Sequence, residues 1–284
     1  MAKLLENCPF HTTAKISLTG LLLKEGPIQQ CQHCKLNFSS CSQAEYLASL
    51  ETVWGHADRL DPDSQGFKRL KSRRRTDWKA FQRFSNYEDK PRHLDIGCAT
   101  GTTVSIFESF GADSFGIDPS EQPIKMGKMV GRNLAVGYLE DQNFSAASFD
   151  LITMYEVIEH IKNPKEVFSE ISRILKPGGV AIIGTGNLSS WTKTIRGRHW
   201  DFFNLQERGG HICYYSPKIF RQLAPEFGLK LRWANTYSVK FFERHEVNPV
   251  VYHLAKLLSE SLSLPSSIVG KGHQMECFFV KNSS

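Results

Sequence analysis

The stretch HLDIGCATG, residues 93–101, places two glycines and an alanine between a strand-like run and a helix-like segment. It predicts a tight turn from a strand into a helix, because glycine adopts backbone conformations that other residues avoid. Short apolar strands alternate with amphipathic helices through residues 92–187. This alternation predicts an α/β fold, a parallel sheet with helices on both faces. Ligands of such sheets bind beyond the carboxyl ends of the strands, where this turn is expected to lie.

The residues of the turn restrict the kind of ligand. The dinucleotide fingerprint G-x-G-x-x-G would need glycines where this chain has Ala99 and Thr102, and the Gly-Lys-Ser/Thr ending of a P-loop is missing. Asp118 ends the next strand, 21 positions beyond Gly97. That spacing suits a carboxylate that accepts hydrogen bonds from ribose hydroxyls. The pattern favours an adenosine-type nucleoside without a pyrophosphate.

Four segments, HLDIGCATG, FGIDPS, FDLITMYEVIEHI and LKPGG, follow one another between residues 92 and 187. In order and spacing they resemble the successive motifs of class I S-adenosylmethionine-dependent methyltransferases. The resemblance implies an enzyme with a Rossmann-like, mostly parallel sheet of seven strands. The helix, turn and strands near the C-terminus would complete that sheet, with a helical insertion between the last two strands. The insertion could form a dimer contact or a wall of the pocket.

The resemblance also implies which residues bind S-adenosylmethionine. Asp95 would hold the amino end of the cofactor and Asp118 its ribose, while the backbone at Gly97, Ala99 and Gly101 would approach the methionine part. The alternative for the two aspartates is a role in shaping the turn.

Further along the chain, the resemblance places the adenine near Leu139 and Glu140, and Tyr155 and Glu156 beside the sulfonium. Many relatives have an aspartate where this chain has Tyr138, so the chain departs from the family pattern at this position. Leu139 is equally compatible with an ordinary place in the core.

Histidines are the candidates for catalysis, because a hydroxyl acceptor benefits from a positioned base. His160 follows the fourth strand, and His211 lies in GGHICYYS within a predicted lid at residues 188–216. His199 is expected to be part of that lid. Aromatic residues of the lid either stack on the acceptor or pack the lid itself.

The segment EVIEH resembles the metal-assisted segment of quinone-biosynthesis O-methyltransferases. Glu156 and His160 are four residues apart and would share a face of a helix. A divalent cation there would lower the pKa of a phenolic hydroxyl. The same letters occur in relatives that bind no metal, so the question stays open.

The N-terminal residues 1–45 contain Cys8-x-x-His11 and Cys31-x-x-Cys34, separated by 19 residues. Two ligand pairs that close a loop are typical of a tetrahedral structural zinc site, so we predict a small zinc-ribbon-like module. Cys41 and His33 are alternative ligands. The other interpretation is that these residues are scattered thiols on a helical cap.

Residues 46–91 are predicted to form a helical linker or cap, and residues 92–284 the methyltransferase domain with its lid. Residues 67–84 carry eight basic residues and one acid, which could contact RNA phosphates. We prefer a helix that packs through its apolar side chains while its charges stay solvated. Those apolar side chains are Phe67, Leu70, Phe81 and Phe84.

Composition limits the possible partners. The net charge of +6 permits an anionic partner without requiring one. No window approaches the ~20 apolar residues of a membrane span, and no secretion signal is recognisable, so we expect a cytoplasmic protein that does not insert in a membrane. The expected function is O-methylation of a small molecule such as a sugar or a biosynthetic intermediate. An RNA methyltransferase and a non-enzymatic cofactor-binding protein are the alternatives, and the oligomeric state is left open.

Overall fold

The computed structural model describes residues 3–53, 63–85, 87 and 89–282, so part of the predicted linker at 46–91 lies outside the described residues. The strands are β1 (Ile16–Leu23), β2 (Gly26–Cys31), β3 (Asn37–Phe38), β4 (Arg92–Ile96), β5 (Asp113–Asp118), β6 (Leu134–Val136), β7 (Phe149–Tyr155), β8 (Leu175–Gly186), β9 (Cys213–Tyr214), β10 (Leu229–Tyr237) and β11 (Gln274–Lys281). The helices are α1 (Gln43–Val53), α2 (Gln65–Phe84), α3 (Thr102–Glu108), α4 (Glu121–Lys128), α5 (Pro164–Ile174), α6 (Trp191–Arg196), α7 (Pro217–Leu223) and α8 (Pro249–Ile268).

The central sheet has the strand order β6-β5-β4-β7-β8-β11-β10 across the described residues. The five strands from β6 to β8 in this order are parallel, and β11 pairs antiparallel with both β8 and β10. The predicted α/β fold with a mostly parallel sheet of seven strands is therefore confirmed. The order reverses direction between β4 and β7, and the carboxyl ends of these two strands form the crevice in which such sheets bind ligands.

Local sequence explains the central elements. β7 is buried along almost its whole length, as expected of a strand covered on both faces. α5 begins with a proline in its first turn and buries one apolar face. The side chains of that face are Val167, Phe168, Ile171 and Ile174.

A second sheet joins the N-terminal residues to the predicted lid. Its order is β1-β2-β3-β9, and Phe38 of β3 pairs with Cys213 of β9. Cys8 and Phe10 belong to the same buried cluster as Phe168 and Phe220 from the methyltransferase region. The N-terminal module and the lid thus pack on one core, while the division at residues 45, 91 and 188–216 remains a prediction.

The basic segment forms α2, whose N-cap Ser64 accepts a hydrogen bond from the backbone N–H of Phe67. Phe81 is buried as expected. The expectation that all charges of this helix stay solvated is wrong, because the Arg74 and Asp77 side chains are buried against the central sheet. Their pairing stabilises charges that would otherwise be too costly to bury.

The predicted helical insertion near the C-terminus is observed as α8 between β10 and β11. In the portion of the chain that the structure describes, no helix combines the length and the apolarity needed to cross a bilayer.

Candidate active site

The turn after β4 has an unusual backbone. Gly97, Ala99 and Gly101 have positive φ angles of 73°, 47° and 75°. The Gly97 amide donates to the Ile117 carbonyl over 2.8 Å, which ties the turn to β5. A Cβ atom at Gly97 would clash with the side chain of Val157. Glycine is therefore required at this position by packing as well as by backbone conformation.

Asp118, at the end of β5, holds this turn in place. Its Oδ2 accepts a hydrogen bond from the Ala99 amide at 2.9 Å, and its Oδ1 accepts one from the Ser120 amide at 2.8 Å. Each carboxylate oxygen has a second lone pair that remains suitable for a ribose hydroxyl. The turn-shaping role is observed, and the predicted contact with the cofactor is compatible with it.

Asp95 lies at the end of a buried chain of hydrogen bonds. The Thr153 hydroxyl donates to Asp95 Oδ1 over 2.6 Å, His93 Nε2 lies 2.8 Å from Thr153 Oγ1, and His93 Nδ1 lies 3.0 Å from Ser114 Oγ. Burial raises the pKa of Asp95 to about 7 and lowers the pKa of His93 to about 3, so the imidazole is neutral.

One assignment of protons satisfies this whole chain. The Ser114 hydroxyl donates to His93 Nδ1, His93 Nε2–H donates to Thr153 Oγ1, and the Thr153 hydroxyl donates to Asp95. No local motif in the sequence indicates this network. Its signal was the presence of polar residues inside otherwise apolar strands.

Tyr155, at the end of β7, contacts α2. Its hydroxyl donates to Asp77 Oδ2 over 3.0 Å, and the Arg74 guanidinium lies 3.3 Å from its ring centroid. Arg74 Nη1 also pairs with Asp77 Oδ2 at 2.5 Å and with Glu276 Oε1 at 2.9 Å. Burial raises the pKa of Glu276 to about 7. The members of this cluster lie far apart in the chain, so the local sequence does not indicate it. The sulfonium contact of Tyr155 stays a prediction.

Glu156 follows β7 with a φ of 54° and an exposed side chain. Its amide donates to the Gly184 carbonyl over 2.8 Å. The surrounding protein reduces the solvation of its carboxyl group and raises its pKa to about 7, although Arg208 favours the charged form. The next residue, Val157, packs against the turn at Gly97. Glu156 therefore stands beside the predicted cofactor turn.

The two residues predicted to lie near the adenine differ in exposure. Leu139 is buried in the main core, whereas Glu140 begins the exposed 3₁₀ helix Glu140–Gln142. The cofactor contacts of both residues remain predictions.

The predicted catalytic histidines lie together. The His160 and His211 ring centroids are 4.6 Å apart, and His211 Nε2 lies 3.7 Å from Glu159 Oε1. The Phe202 carbonyl is 3.1 Å from His211 Nδ1 and accepts its proton in the matching tautomer. Burial lowers the pKa of His160 to about 4 and that of His211 well below its usual range, so both rings are neutral.

The predicted pairing of Glu156 with His160 on one helix face is not found. Only the 3₁₀ helix Ile158–His160 forms here, and Glu156 precedes it. Instead, potential ligand atoms of Glu159, His160 and His211 lie within 4.8 Å of one another.

A cleft of about 920 Å³ separates the tip of the β1–β2 hairpin from the predicted lid. His199, Asp201 and Arg208 line it, and the last two are also charged neighbours of Glu156. Asp201 pairs with Arg208, and it lies 3.4 Å from Lys240 Nζ and from His273 Nε2. These contacts connect the lid to the loop after β10 and to the residues just before β11.

Most lid aromatics pack against one another. Trp200 stacks on Phe202 at 5.0 Å between centroids and contacts Phe203 edge-on at 4.9 Å. All three are buried. They form a small core of their own under the hairpin, so their main role in this structure is to pack the lid.

The predicted zinc ligands come together. Potential ligand atoms of Cys8, His11, Cys31 and Cys34 lie within 4.8 Å of one another. The Cys8 and Cys34 sulfurs are 3.6 Å apart, close to the ~3.8 Å between two sulfurs of a tetrahedral zinc site with Zn–S bonds of about 2.3 Å.

The surroundings of this group also suit a metal. His11 Nε2 lies 3.1 Å from both carboxylate oxygens of Glu226, which leaves Nδ1 directed toward Cys8 at 4.0 Å. A carboxylate that orients a histidine in this way is common around bound zinc. Within the described residues, the group of four includes neither Cys41 nor His33, the alternative ligands. The residues fit zinc, and the metal itself remains a prediction.

A seven-stranded sheet in this order, with a glycine turn after β4 and an aspartate at the end of β5, defines a class I S-adenosylmethionine-dependent methyltransferase. Residues 68–232 match the family described as a methyltransferase domain. This match covers more than half of the chain, and the chain belongs to that family. The predicted class is confirmed.

Relatives and solved structures agree with this assignment. The chain is 28% identical over 148 residues to a ubiquinone biosynthesis O-methyltransferase of Thiobacillus denitrificans, covering 48% of this chain and 63% of the relative. It is 31% identical over 153 residues to an enzyme of the same name from Coxiella burnetii, covering 50% and 65%. The chain thus spans just under two thirds of the length of these relatives.

The structural similarity shows the fold. A SAM dependent methyltransferase from Archaeoglobus fulgidus superimposes with a TM-score of 0.54 at 17% identity, covering 76% of this chain and 94% of the other. An S-adenosylmethionine dependent methyltransferase from Mesorhizobium loti gives 0.52 at 14% identity, covering 72% and 97%.

Proposed function

We propose that this chain transfers the methyl group of S-adenosylmethionine to a hydroxyl group of a small molecule, such as a sugar or a biosynthetic intermediate. The observation that carries the proposal is the position of Glu156, an exposed carboxyl group between the glycine turn and the charged groups that line the cleft. The names of the two O-methyltransferase relatives support a hydroxyl acceptor.

The cofactor would bind at the carboxyl ends of β4, β5 and β7. Its predicted contacts are Asp95, Gly97, Ala99, Gly101, Asp118, Leu139, Glu140, Tyr155 and Glu156. Methyl transfer is an in-line displacement at a carbon that the positive sulfur already activates, so positioning supplies much of the rate.

The acceptor hydroxyl must also lose its proton. A general base works best when its pKa lies near the working pH, and the pKa of Glu156 is raised to about 7. His160 and His211 are candidates for the same role, and their neutral rings can accept protons. Both are buried, however, so we place them behind Glu156 rather than in contact with bulk solvent.

Calorimetry with S-adenosylmethionine tests the cofactor site. We expect the wild-type chain to bind and Asp118→Ala to lose at least about tenfold in affinity, because the hydrogen bonds to the Ala99 and Ser120 amides and the ribose acceptor are removed together. Asp113→Ala, an exposed aspartate at the start of the same strand, is the matched control. A wild-type chain that binds no cofactor would overturn the proposal.

Labelled cofactor and a cell extract test the acceptor. The proposal expects label in a small molecule that is stable to base, as an ether is. A chain that binds the cofactor and labels nothing would support the non-enzymatic alternative.

The RNA alternative predicts labelled RNA and salt-sensitive binding. The contacts give it less support, since Arg74 is buried and Arg73 lies 4.3 Å from the Tyr237 ring centroid. RNA binding by the wild-type chain that is lost in Arg75→Gln would favour this alternative. A cytoplasmic location is also part of the proposal, and cell fractionation tests it.

We further propose that Cys8, His11, Cys31 and Cys34 hold a structural zinc ion. The short sulfur–sulfur distance and the support of His11 by Glu226 favour this. Metal analysis of the purified protein should give one zinc per chain and almost none for Cys34→Ser. Cys98→Ser, a buried cysteine in a different cluster, should keep its zinc. A wild-type protein without zinc would reject the site.

A further inference from the structure

The helix α8 has an inverted distribution of apolar residues. Its small residues Ser259 and Ser266 are buried against the protein. Large apolar side chains point outward instead, with 71% of Leu264 and 76% of Ile268 exposed. The other outward apolar side chains on α8 or at its end are Val250, Val251, Leu254, Leu257, Leu258 and Val269. A helix of a globular protein normally turns such residues toward the core, so this one presents a surface for contact.

The outward residues are regularly spaced. Val250, Leu254, Leu257, Ser261, Leu264 and Ile268 succeed one another at intervals of four, three, four, three and four residues. Alternating steps of four and three residues are typical of helices that pack along a common seam, as in a coiled coil. Ser261 is the polar member, and the other five are apolar.

The composition of α8 argues against a lipid surface as its partner. A helix that lies on a membrane usually carries several basic residues on its polar face. α8 has one lysine, Lys256, and it lies 3.9 Å from Glu260. A regular seam on a nearly uncharged helix fits another helix better than it fits phospholipid headgroups.

The order of the intervals is compatible with a second copy of the helix as the partner. Four, three, four, three, four reads the same in both directions, so the seam can pair with an antiparallel copy of itself. Around a two-fold axis near Ser259, Val250 would meet Ile268, and Leu254 would meet Leu264. Self-complementarity of this kind is the property of a two-fold symmetric interface, and an antiparallel arrangement also opposes the two helix dipoles.

The apolar surface along the seam is large enough for an interface between two chains. The exposed parts of the five apolar side chains of the seam amount to roughly 600 Å² per chain, at the lower end of the ~1,200–2,000 Å² in total that stable interfaces bury. We propose that α8 packs antiparallel against α8 of a second copy of this chain and forms a homodimer. The insertion is then a dimer contact and not a wall of the substrate pocket.

Sedimentation equilibrium of the full chain tests the dimer. We expect the wild-type protein at micromolar concentration to have twice its chain mass of 32.2 kDa. Leu257→Glu should raise the dissociation constant at least about 100-fold, because each dimer loses two apolar side chains near its centre and places two carboxylates there. Met129→Glu, which changes a side chain that is 79% exposed outside α8, should leave the dimer intact.

Circular dichroism and the melting temperature show whether each variant folds. If Leu257→Glu does not fold, Leu257→Ser takes its place, since serine already occupies one position of the seam. A monomeric wild-type chain, or a Leu257→Glu variant that stays dimeric, would overturn the proposal. So would a monomer that sediments with vesicles of phosphatidylcholine and phosphatidylglycerol, because lipid would then be the partner.

Cross-linking tests the orientation. Under mild oxidation, the double variant Leu254→Cys, Leu264→Cys should form a covalent dimer, because the two positions face each other in the antiparallel pair. Each single variant should remain uncross-linked. A covalent dimer of Leu254→Cys alone would show parallel helices and contradict the proposed arrangement.

Discussion

At the scale of single residues, Arg74 has the most demanding environment in α2. One guanidinium serves two carboxylates, Asp77 and Glu276, and all three side chains are almost fully buried. Replacing Arg74 by methionine should lower the free energy of unfolding by about 3–5 kcal/mol at pH 7.5, because two buried carboxylates lose their counter-ion. Urea unfolding measures the change, and Arg75→Met, its exposed neighbour, should differ little from wild type.

Glu276 makes the contribution of this cluster to stability depend on pH. Its pKa is raised from an ordinary 4.5 to about 7, so the folded state binds a proton more tightly than the unfolded state. Its contribution to stability is therefore complete below pH 4.5 and is lost as the pH rises through about 7. Glu276→Gln should remove this loss. Unfolding curves between pH 4.5 and 8 that decline equally in wild type and variant would contradict the expectation.

Thr153 is the residue that connects His93 to Asp95. Thr153→Val removes the hydroxyl donated to Asp95 and should raise the pKa of that carboxyl above about 7. If Asp95 binds the amino group of the cofactor, affinity at pH 7.5 should fall about tenfold or more, since a hydrogen bond to a charged group contributes about 1.5–3 kcal/mol. Calorimetry measures the affinity. Thr153→Ser keeps the hydroxyl and should bind as wild type does.

At the scale of elements, the N-terminal module is stabilised by contacts with distant parts of the chain. Glu226, in the 3₁₀ helix Ala224–Phe227, supports His11, and β3 pairs with β9. If zinc occupies the site, Glu226→Gln should weaken the affinity of the protein for zinc 10- to 100-fold. Competition with a chromogenic chelator measures this, and Glu166→Gln is the exposed control on α5. Equal affinities in the two variants would argue against the role of Glu226.

These elements also show what the sequence could predict. The strands and helices of residues 92–187 were predictable because their signals are local: periodic apolar residues, glycine turns and caps. The pairing of β3 with β9 was not, since two-residue strands have no periodicity and their partners are about 175 residues apart. The sequence does not predict whether the apolar residues of α8 face the core or the outside, for a different reason. An apolar helix is compatible with a core or with an interface, and only its packing distinguishes them.

The same contrast between local signals and distant contacts holds for the site residues. The turn at Gly97 and the aspartate at Asp118 were predictable from a motif. Arg74 was expected in solvent, because a run of basic residues on a helix is normally exposed. Its carboxylate partner Glu276 lies 202 positions away, and nothing in the local sequence indicated the pair.

At the scale of the whole molecule, the proposed methyl transfer depends on the sheet and the lid meeting at Glu156. If Glu156 accepts the proton of the acceptor, kcat should rise as the pH rises through about 7, because the ionised form acts as the base. Glu156→Gln should lower kcat by about 10²–10⁴-fold and abolish this dependence. Glu207→Gln, which changes a carboxylate that lines the cleft between the β1–β2 hairpin and the lid, should retain this dependence.

Asp95 titrates in the same range as Glu156, so the two contributions must be separated. Asp95 acts on the binding of the cofactor, and its effect on the rate disappears when S-adenosylmethionine is saturating. The proposed base acts on the chemical step, and its effect persists. Rates measured at saturating cofactor should therefore keep a rise near pH 7 in Thr153→Val and lose it in Glu156→Gln. A rise that survives in Glu156→Gln would assign the proton acceptor to another group.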